Sequence, residues 1–514
     1  MLETATRCLQ AQASRIDALN VFPVPDGDTG TNMLLTMRAA LRAASRDGSV
    51  SAVADAAARG ALLGARGNSG VILSQFLVGM AQAVKGAAGI GPAELGRAFR
   101  HGSALAYKAV SQPVEGTMLT VLRETSEAVR PFEAEGDLPA FLEAALAAAG
   151  AALARTPDLL PVLREAGVVD AGGQGLYTLL EGMCLYTRGD LQFVQARPEP
   201  SRPGPTAEVA PTSGFCVEFT LSRRKHSLER VTRELGKLGT SLIVAGVPGL
   251  VRVHLHSDEP DALIRRAASL GSLEQLQVRD MKRQQYAFQH RRDEPNAVIA
   301  PDVVAVVPGA GLARVCLGLG AAVVVVGVRS PSAEELLEAI ESAPAARVFV
   351  LPNDKNIILA AEQARTLGSK EVSVIPATNI AQGIAALVAF RPEQTADANL
   401  RSMQEAMSAV HALEVCQAVR TTRLNGVAVR KNQLAAYLDG ELVAAAASAG
   451  KAIREALAHL PMEKAQNLAL YYGAGVRAGQ AARLADSLRA DYPRLEVEAI
   501  SGGQPVQAYL IGVE

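Results

Sequence analysis

Two aspartates separated by a single glycine, Asp26 and Asp28, lie in the turn-forming segment Pro25–Asn32. Carboxylate oxygens are the ligands that Mg²⁺ prefers, and Mg²⁺ usually keeps coordination positions for water and for substrate phosphate oxygens. The neighbouring glycines let backbone N–H groups approach a ligand closely. An Asx-rich surface turn has the same composition, so this segment alone predicts either a turn or a magnesium site.

Three more glycine-bearing segments follow, at 64–70, 113–118 and 167–175. The first lacks the Lys-Ser/Thr ending of a Walker A P-loop, but its glycines expose backbone amides. A helix beginning near Ser69 would add its N-terminus and a hydroxyl donor, which together favour an anion. Packing between helices explains the same glycines, and a helix N-cap explains Thr117 equally well. Asp170, just before Gly172, is similarly ambiguous.

A histidine pair and a cysteine form a second candidate site. In a strand, His254 and His256 project onto one face, and Cys216 and Glu218 likewise share a face. One Cys and two His form a reasonable zinc donor set, with a fourth position for water, a carboxylate or a substrate oxygen. Glu218 and Asp258 are candidate fourth ligands. The alternative is a pair of exposed strand histidines near an unrelated buried thiol.

The elements that must position these residues differ along the chain. From Asn32 to about Tyr186, Ala and Leu recur with helical periodicity and no strand alternation, which predicts a helical bundle with the glycine-bearing loops at one end. A proline-rich stretch near 195–213 predicts a linker. A small α+β domain follows, with a helix at 228–238 between strands at 214–221 and 250–256.

The C-terminal region predicts a parallel sheet. Short apolar strands alternate there with helical stretches, at 303–307, 322–326, 347–351 and 371–375. After about Glu414 the pattern becomes less regular and predicts a second lobe, with strands near 426–430 and 468–472. The segments 308–311, 351–357 and 378–383 follow predicted strands, where ligand sites of open α/β sheets gather.

Composition limits the function classes. A length of 514 residues predicts about three domains, and a net charge of -1 gives no basic field for nucleic acid. Five scattered cysteines do not form a disulfide framework. The N-terminus lacks the pattern of a secretory signal, and no apolar run reaches membrane-spanning length. We therefore expect a soluble, cytoplasmic protein without an integral membrane segment.

The loops, taken in order, resemble a known domain. Asn20–Asn32, Gly64–Gly70 and Gly167–Gly175 resemble the DhaL-type nucleotide-binding domain of dihydroxyacetone kinases. Nearly the whole chain resembles more closely FakA, the family of ATP-binding subunits of bacterial fatty acid kinases. That resemblance implies a multidomain fold: an all-α DhaL-like domain, a small α+β central domain and a DegV-like α/β domain. The expected boundaries are 1–190 for the first domain, 191–213 for the linker, 214–290 for the central domain and 297–514 for the last.

The resemblance also implies roles for individual residues. Asp26 and Asp28 match the family's Mg²⁺-binding, catalytic aspartates that bridge the ATP phosphates. The remaining residues expected to bind ATP are Thr29, Thr31, Asn32, Gly67, Asn68, Ser69, Gly70, Thr117, Met118 and Asp170. The family's metal-binding Cys and His-x-His imply Zn²⁺ at Cys216, His254 and His256.

In one position the chain departs from the dihydroxyacetone kinase pattern. That pattern has a further metal-binding aspartate about five residues upstream of the pair, where this chain has Val21. Asn20 or Asp17 could partly substitute for it.

The activity implied is ATP-dependent phosphorylation of a fatty acid to an acyl phosphate, which feeds phospholipid synthesis. The implied partner is a FakB-type carrier protein that holds the fatty acid, and the C-terminal domain is expected to dock a partner rather than to catalyse. A homodimer is a further expectation. The alternatives are a dihydroxyacetone-type small-polyol kinase, for which the N-terminal motifs suffice, and a non-catalytic ATP-binding scaffold.

Overall fold

The computed structural model describes residues 1–44, 48–87, 89–133, 137–190, 214–223, 226–247, 249–285, 300–327, 330–424 and 426–514. The expected linker at 191–213 lies outside these residues. The contacts divide the chain into two compact units. The first comprises the described residues of Met1–Glu259, Arg266–Glu274 and Met281–Ala297, and the second those of Pro260–Arg265, Gln275–Asp280 and Val298–Glu514.

The N-terminal part of the first unit is helical, as predicted. Caps place several helix starts: the side chains of Ser49 and Asp137 accept the N–H groups of Ala52 and Ala140. In the core, Phe99 packs edge-to-face on Phe76 and on Phe141. A 3₁₀ turn spans Arg130–Glu133. The α-helices are α1 Leu2–Ala18, α2 Thr29–Ala43, α3 Val50–Leu63, α4 Gly67–Ala83, α5 Pro92–Ala109, α6 Met118–Ala128, α7 Leu138–Ala154, α8 Thr156–Leu159, α9 Pro161–Ala166 and α10 Ala171–Arg188.

A small antiparallel sheet completes the first unit, with strand order β2-β3-β1. The strands are β1 Phe215–Ser222, β2 Thr240–Val247 and β3 Leu250–Ser257, and α11 spans Leu228–Leu235. The sequence predicted β1, β3 and the helix but missed β2. Its apolar run 242–245 is buried throughout rather than alternating, and such short runs do not distinguish strand from helix. Ile243 and Ala245 join the core of the helical part.

The second unit contains the predicted parallel sheet. Strands β5 to β8 run parallel in the order β6-β5-β7-β8, and residues 276–279 of β4 add an antiparallel strand beside β6. Valine-rich strands such as Val323–Val326 are buried between helices, as is typical of parallel sheets. Two elements have residues in both units, α12 Pro260–Leu270 and β4 Ser272–Asp280. The next elements of the second unit are β5 Asp302–Val307, α13 Ala310–Gly318, β6 Val323–Val326, α14 Ala333–Ser342, β7 Arg347–Leu351, α15 Ile358–Leu367, β8 Glu371–Val374 and α16 Ile380–Ala389.

The predicted second lobe is a six-stranded mixed sheet of order β13-β12-β9-β16-β14-β15. The predicted strands near 426–430 and 468–472 are present as β11 and β14. The elements are α17 Ala396–Ala409, β9 His411–Gln417, β10 Thr422–Leu424, β11 Val427–Val429, β12 Leu434–Leu438, β13 Glu441–Ala446, α18 Ala449–Leu457, β14 Asn467–Tyr472, α19 Ala478–Asp491, β15 Glu496–Ser501 and β16 Gln507–Val513. Among the described helices of both units, we find none whose length and apolar character suit a membrane crossing.

Candidate active site

The aspartate loop leads directly into α2, whose N-cap residue is Asp28. Asp26 and Asp28 are both partly exposed, so their carboxylates remain accessible to a ligand. Asn20 donates from Nδ2 to Oδ1 of Asp26 across 2.5 Å, which orients that carboxylate. Val21, at the position where a third aspartate would stand, is buried in the helical core.

Asp17 organises the start of α2 from the last turn of α1. Its carboxylate accepts the N–H groups of Gly30 at 2.6 Å and Thr31 at 3.1 Å, and the Thr31 hydroxyl at 2.7 Å. The pKa of Asp17 is raised to about 7, chiefly by burial and to a smaller extent by the nearby Asp28 carboxylate. The hydrogen bonds from Thr31 and Gly30 act in the opposite direction, because they favour the charged form. The N–H and the hydroxyl of Thr31 are therefore both used in holding the loop, and Asp17 stabilises the start of α2.

The second predicted loop starts a helix two residues earlier than expected. α4 begins at Gly67, and its N-cap residue Arg66 supplies no side-chain cap. Gly67 has a φ of 59°, a left-handed conformation that favours glycine, and a Cβ there would collide with the Asn32 side-chain amide. The loops at 26–32 and 67–70 are thereby in contact.

A cavity of about 520 Å³ lies beside these loops. The starts of four helices, α2, α4, α6 and α10, contribute to its lining, and helix N-termini favour negatively charged ligands. Six of the predicted ATP-binding residues line it: Thr29, Asn68, Ser69, Thr117, Met118 and Asp170. The other four, Thr31, Asn32, Gly67 and Gly70, and the aspartates Asp26 and Asp28 are not among the described residues that line it. A Cβ at Gly70 would press on Thr36.

Asp170 has a structural role in this cavity that the sequence did not show. Its side chain caps α10 by accepting the N–H of Gly173 at 2.7 Å, and it also accepts the N–H groups of Met118 and Gly172. Burial raises the pKa of Asp170 to about 6, although those hydrogen bonds favour the charged form. Asp170 thus ties the starts of α6 and α10 together at the cavity wall.

The other wall of the cavity comes from the predicted small sheet domain, and the sequence analysis did not predict this contribution. Its lining residues there are Thr232, Gly236 and Gly239–Ile243. The two parts are joined by Ser111, whose N–H and hydroxyl both donate to the carbonyl of Leu242, at 3.4 and 2.9 Å. No sequence motif marks this wall, because the unrecognised strand β2 supplies most of it.

The buried polar face of the small sheet carries six residues, which we call the polar ladder: Cys216, Glu218 and Thr220 on β1, and Arg252, His254 and His256 on β3. Antiparallel register pairs Cys216 with His256, Glu218 with His254 and Thr220 with Arg252. All six are buried. The predicted period-2 alternation is therefore correct, but the histidines face the protein interior rather than solvent.

Three residues of the polar ladder fit a metal ion. One ligand atom from each of Cys216, His254 and His256 lies within 4.8 Å of the other two. The two histidine Nε2 atoms are 3.1 Å apart, and Cys216 Sγ lies 3.7 Å from Nδ1 of His254. Burial lowers the pKa of His254, but Cys216 and Glu218 outweigh burial and raise it to about 10. Soft sulfur with two imidazoles is a donor set that suits Zn²⁺.

Glu218 connects the polar ladder with the second loop. Its Oε1 lies 2.9 Å from Nδ1 of His254 and accepts the Gly67 N–H at 2.6 Å, while Arg252 donates to Oε2 at 3.4 Å. The other candidate ligand, Asp258, accepts the N–H of Gly214 at 2.6 Å. Glu218 thus occupies the outer position of a carboxylate–histidine pair, the arrangement that orients metal-bound histidines.

The second unit contains a larger cavity, of about 780 Å³. It includes parts of the segments predicted at strand ends, among them Asn353 and Asn379. The charged residues in its lining are Asp354, Lys355, Glu414, Asp439 and Glu441. This surplus of carboxylates opposes an anionic ligand.

Family models match the chain in three places. The FakA-like C-terminal model of fatty acid kinases matches residues 302–514, the FakA-like middle-domain model matches 212–288, and the DAK2 domain model matches 23–185. The matches follow the order of the helical part, the small sheet and the second unit.

Relatives match along the full length. Protein YloV of Bacillus subtilis (strain 168) is 35% identical over 540 residues, which cover 100% of this chain and 98% of the relative. Uncharacterized protein SSP1546 of Staphylococcus saprophyticus is 31% identical over 541 residues, with the same coverage. Among solved structures, the dihydroxyacetone kinase from C. freundii in complex with AMP-PNP and Mg²⁺ is similar at 16% identity and a TM-score of 0.32, over 46% of this chain and 50% of that one.

Proposed function

The chain belongs to the FakA-like family of fatty acid kinase proteins, and we propose that it transfers the γ-phosphoryl group of ATP to the carboxylate of a fatty acid held by a separate carrier protein. The observation that carries this proposal is the cavity of about 520 Å³, where residues from four sequence-distant loops meet at four helix starts. Such a cavity suits a polyphosphate.

The cavity offers phosphate binding without lysine or arginine. Asp170 is the only ionisable residue among the described residues that line it. Backbone N–H groups at the start of α4, together with the Ser69 hydroxyl, are the donors that we assign to the phosphates. Because donors fixed by the fold need little rearrangement, they stabilise the charge of the transferring group effectively.

Asp26 and Asp28 are the residues that would hold Mg²⁺. Both are accessible carboxylates, and Asn20 fixes Asp26. Mg²⁺ bound there would neutralise the β- and γ-phosphates and align them. The Asp17 carboxylate is engaged with Gly30 and Thr31, so we do not assign it as a ligand in place of the missing aspartate.

The phosphoryl transfer itself requires no general base from the protein. A fatty acid carboxylate is ionised at neutral pH, so its oxygen can attack the γ-phosphorus without a general base. A new carboxylate O–P bond forms while the bond between the γ-phosphorus and the bridging oxygen breaks, and ADP leaves. The products are an acyl phosphate and ADP.

The carrier requirement is tested by ATP consumption. We expect turnover when purified chain is mixed with a fatty-acid-loaded carrier of the family's partner class, and little turnover with fatty acid or carrier alone. Turnover on dihydroxyacetone without a carrier would contradict the proposal and support the small-polyol alternative. ATP binding without turnover on either substrate would support the scaffold.

The zinc assignment has a separate test. We expect ~one zinc per chain in the wild type, and almost none in His254→Ala/His256→Ala, because one thiolate alone is a poor zinc site. Metal content by mass spectrometry is the measurement. His101→Ala, which removes an exposed histidine bonded to Gln82, is the matched control and should leave the zinc content unchanged. Equal zinc in wild type and double variant would exclude the site.

A further inference from the structure

We propose that Glu218 is a positioning residue that couples the proposed metal-binding triad, Cys216, His254 and His256, to the proposed phosphate-binding loop, residues 67–70. Through this link, zinc and nucleotide would strengthen each other's binding. The proposal rests on the proposed nucleotide site and adds a regulatory link to it. It starts from one atom: Oε1 of Glu218 both accepts the Gly67 N–H and lies at hydrogen-bond distance from His254 Nδ1.

The burial of Glu218 makes this link stiff. Its side chain is fully enclosed, and a charge in such a place must remain paired. Arg252, also enclosed, faces the other carboxylate oxygen at 3.4 Å. A movement of the carboxylate toward either partner would therefore disturb its contact with the other.

The contact at Gly67 transmits that position to the phosphate loop. Gly67 is the first residue of α4, and its left-handed backbone sets the direction in which the following N–H groups point. Asn68 and Ser69, the next two residues, line the cavity. Holding the Gly67 N–H therefore fixes the donors that we assign to the phosphates.

The contact at His254 connects the same carboxylate to the metal site. The Nε2 atoms of His254 and His256 face each other at 3.1 Å. A metal ion held through these two atoms would leave Nδ1 of His254 to donate to Glu218, whose Oε1 lies 2.9 Å away. Such outer carboxylates orient metal-bound histidines. Metal binding would fix the imidazole tautomer, hold Glu218 and pre-order the loop, and its positive charge would also favour an anion nearby.

This mechanism predicts reciprocal coupling, because linkage requires equal factors in the two directions. In the wild-type chain, Mg²⁺ with AMP-PNP should bind at least about fivefold more tightly when zinc is bound. Zinc, titrated against a chromogenic chelator, should bind more tightly by the same factor when Mg²⁺ and AMP-PNP are present. Both are equilibrium affinities and need no turnover.

The variant Glu218→Gln keeps the shape and removes the charge. We expect its zinc affinity to fall by roughly tenfold, as for other outer-shell partners, and its coupling factor to shrink to within about twofold of unity. Glu94→Gln is the matched control: Glu94 accepts the N–H of Gly91 before α5, so it holds a helix start without a link to the triad. It should retain full coupling.

Hydrogen exchange tests the link without a substitution, in case Glu218→Gln does not fold. Zinc should slow exchange in the wild-type segment 67–70 and leave the Gly91 amide unchanged. The inference would be overturned if nucleotide affinity were the same with and without zinc, or if the Glu218→Gln protein retained full coupling. Either result would leave the proposed function intact. Failure of AMP-PNP to bind the zinc-loaded chain would refute the proposed function and the coupling with it.

Discussion

The two cavities of this protein differ in a way that their sizes do not reveal. The larger one, in the second unit, is lined by four carboxylates and one lysine. The smaller one, in the first unit, has helix starts and a single carboxyl group, Asp170, in its described lining. Phosphates are repelled by the first arrangement and attracted by the second. Charge and backbone direction, rather than volume, are therefore the reasons for proposing the smaller cavity as the nucleotide site.

Removal of the aspartate pair is the strongest test of this distinction. Asp26→Ala/Asp28→Ala should lower kcat by roughly 10²–10³-fold or more and abolish detectable Mg-ATP binding, because the metal would lose its protein ligands. Calorimetric titration with AMP-PNP and a turnover assay measure the two effects. Asp55→Ala, which removes an exposed aspartate paired with Arg59, should behave as wild type. Unchanged kinetics in the double variant would remove the smaller cavity from consideration.

A matched pair of glycine variants tests the backbone of the phosphate loop. Gly67 and Gly86 both have positive φ, but a Cβ at Gly67 would collide with Asn32, whereas Gly86 has open space around it. Gly86→Ala should cost about 1–2 kcal/mol of stability, the penalty of a left-handed alanine, and leave nucleotide affinity intact.

Gly67→Ala carries the same penalty together with a displaced loop. We expect its nucleotide affinity to fall by at least about tenfold, which corresponds to about 1.4 kcal/mol. Equal nucleotide affinities in the two alanine variants would show that the loop geometry at Gly67 does not matter for binding.

The pH dependence of stability tests the support of the aspartate loop. Burial raises the pKa of Asp17 from 3.8 to about 7, so between these values the folded chain holds a proton that the unfolded chain releases. The contribution of Asp17 to stability is therefore full below pH ~3.8 and decreases as the pH rises to about 7. Asp17→Asn should flatten the decline in melting temperature between about pH 4 and pH 7. A decline as steep as that of the wild type would contradict this assignment.

The smallest expected effect on nucleotide affinity comes from a substitution in the larger cavity, in the second unit. Burial raises the pKa of Glu414, and Glu414→Gln replaces this carboxyl by a neutral group of the same shape. Nucleotide affinity should stay within about twofold of wild type, a change below about 0.4 kcal/mol. A gain of tenfold or more would mean that this cavity binds nucleotide once its negative charge is reduced, and would break the comparison.

The sequence predicted much of the fold because its signals were local. Helical periodicity identified the N-terminal bundle, and short valine-rich strands between helices identified the parallel sheet. The strand β2 was missed because its buried run 242–245 lacks alternation. The strands β9, β12, β13, β15 and β16 of the mixed sheet were also missed, in the region where the sequence pattern is least regular.

For the candidate site, the sequence determined which residues are present and their spacing. The Asp-Gly-Asp pair, the glycine-bearing loops and the alternation of Cys216, Glu218, His254 and His256 are all properties of short segments. Such patterns depend on backbone periods of 2 and 3.6 residues, which act locally. They suffice to predict a strand face that carries metal donors and a loop that carries carboxylates.

The tertiary structure decided how these segments work together. Only the folded chain brings Glu218 to the Gly67 amide across 151 positions of sequence, or places β2 on the wall of the cavity. It also assigned Asp17 and Asp170 to helix starts. The reason is physical: contacts between distant segments depend on how buried faces pack, and no single segment contains that information.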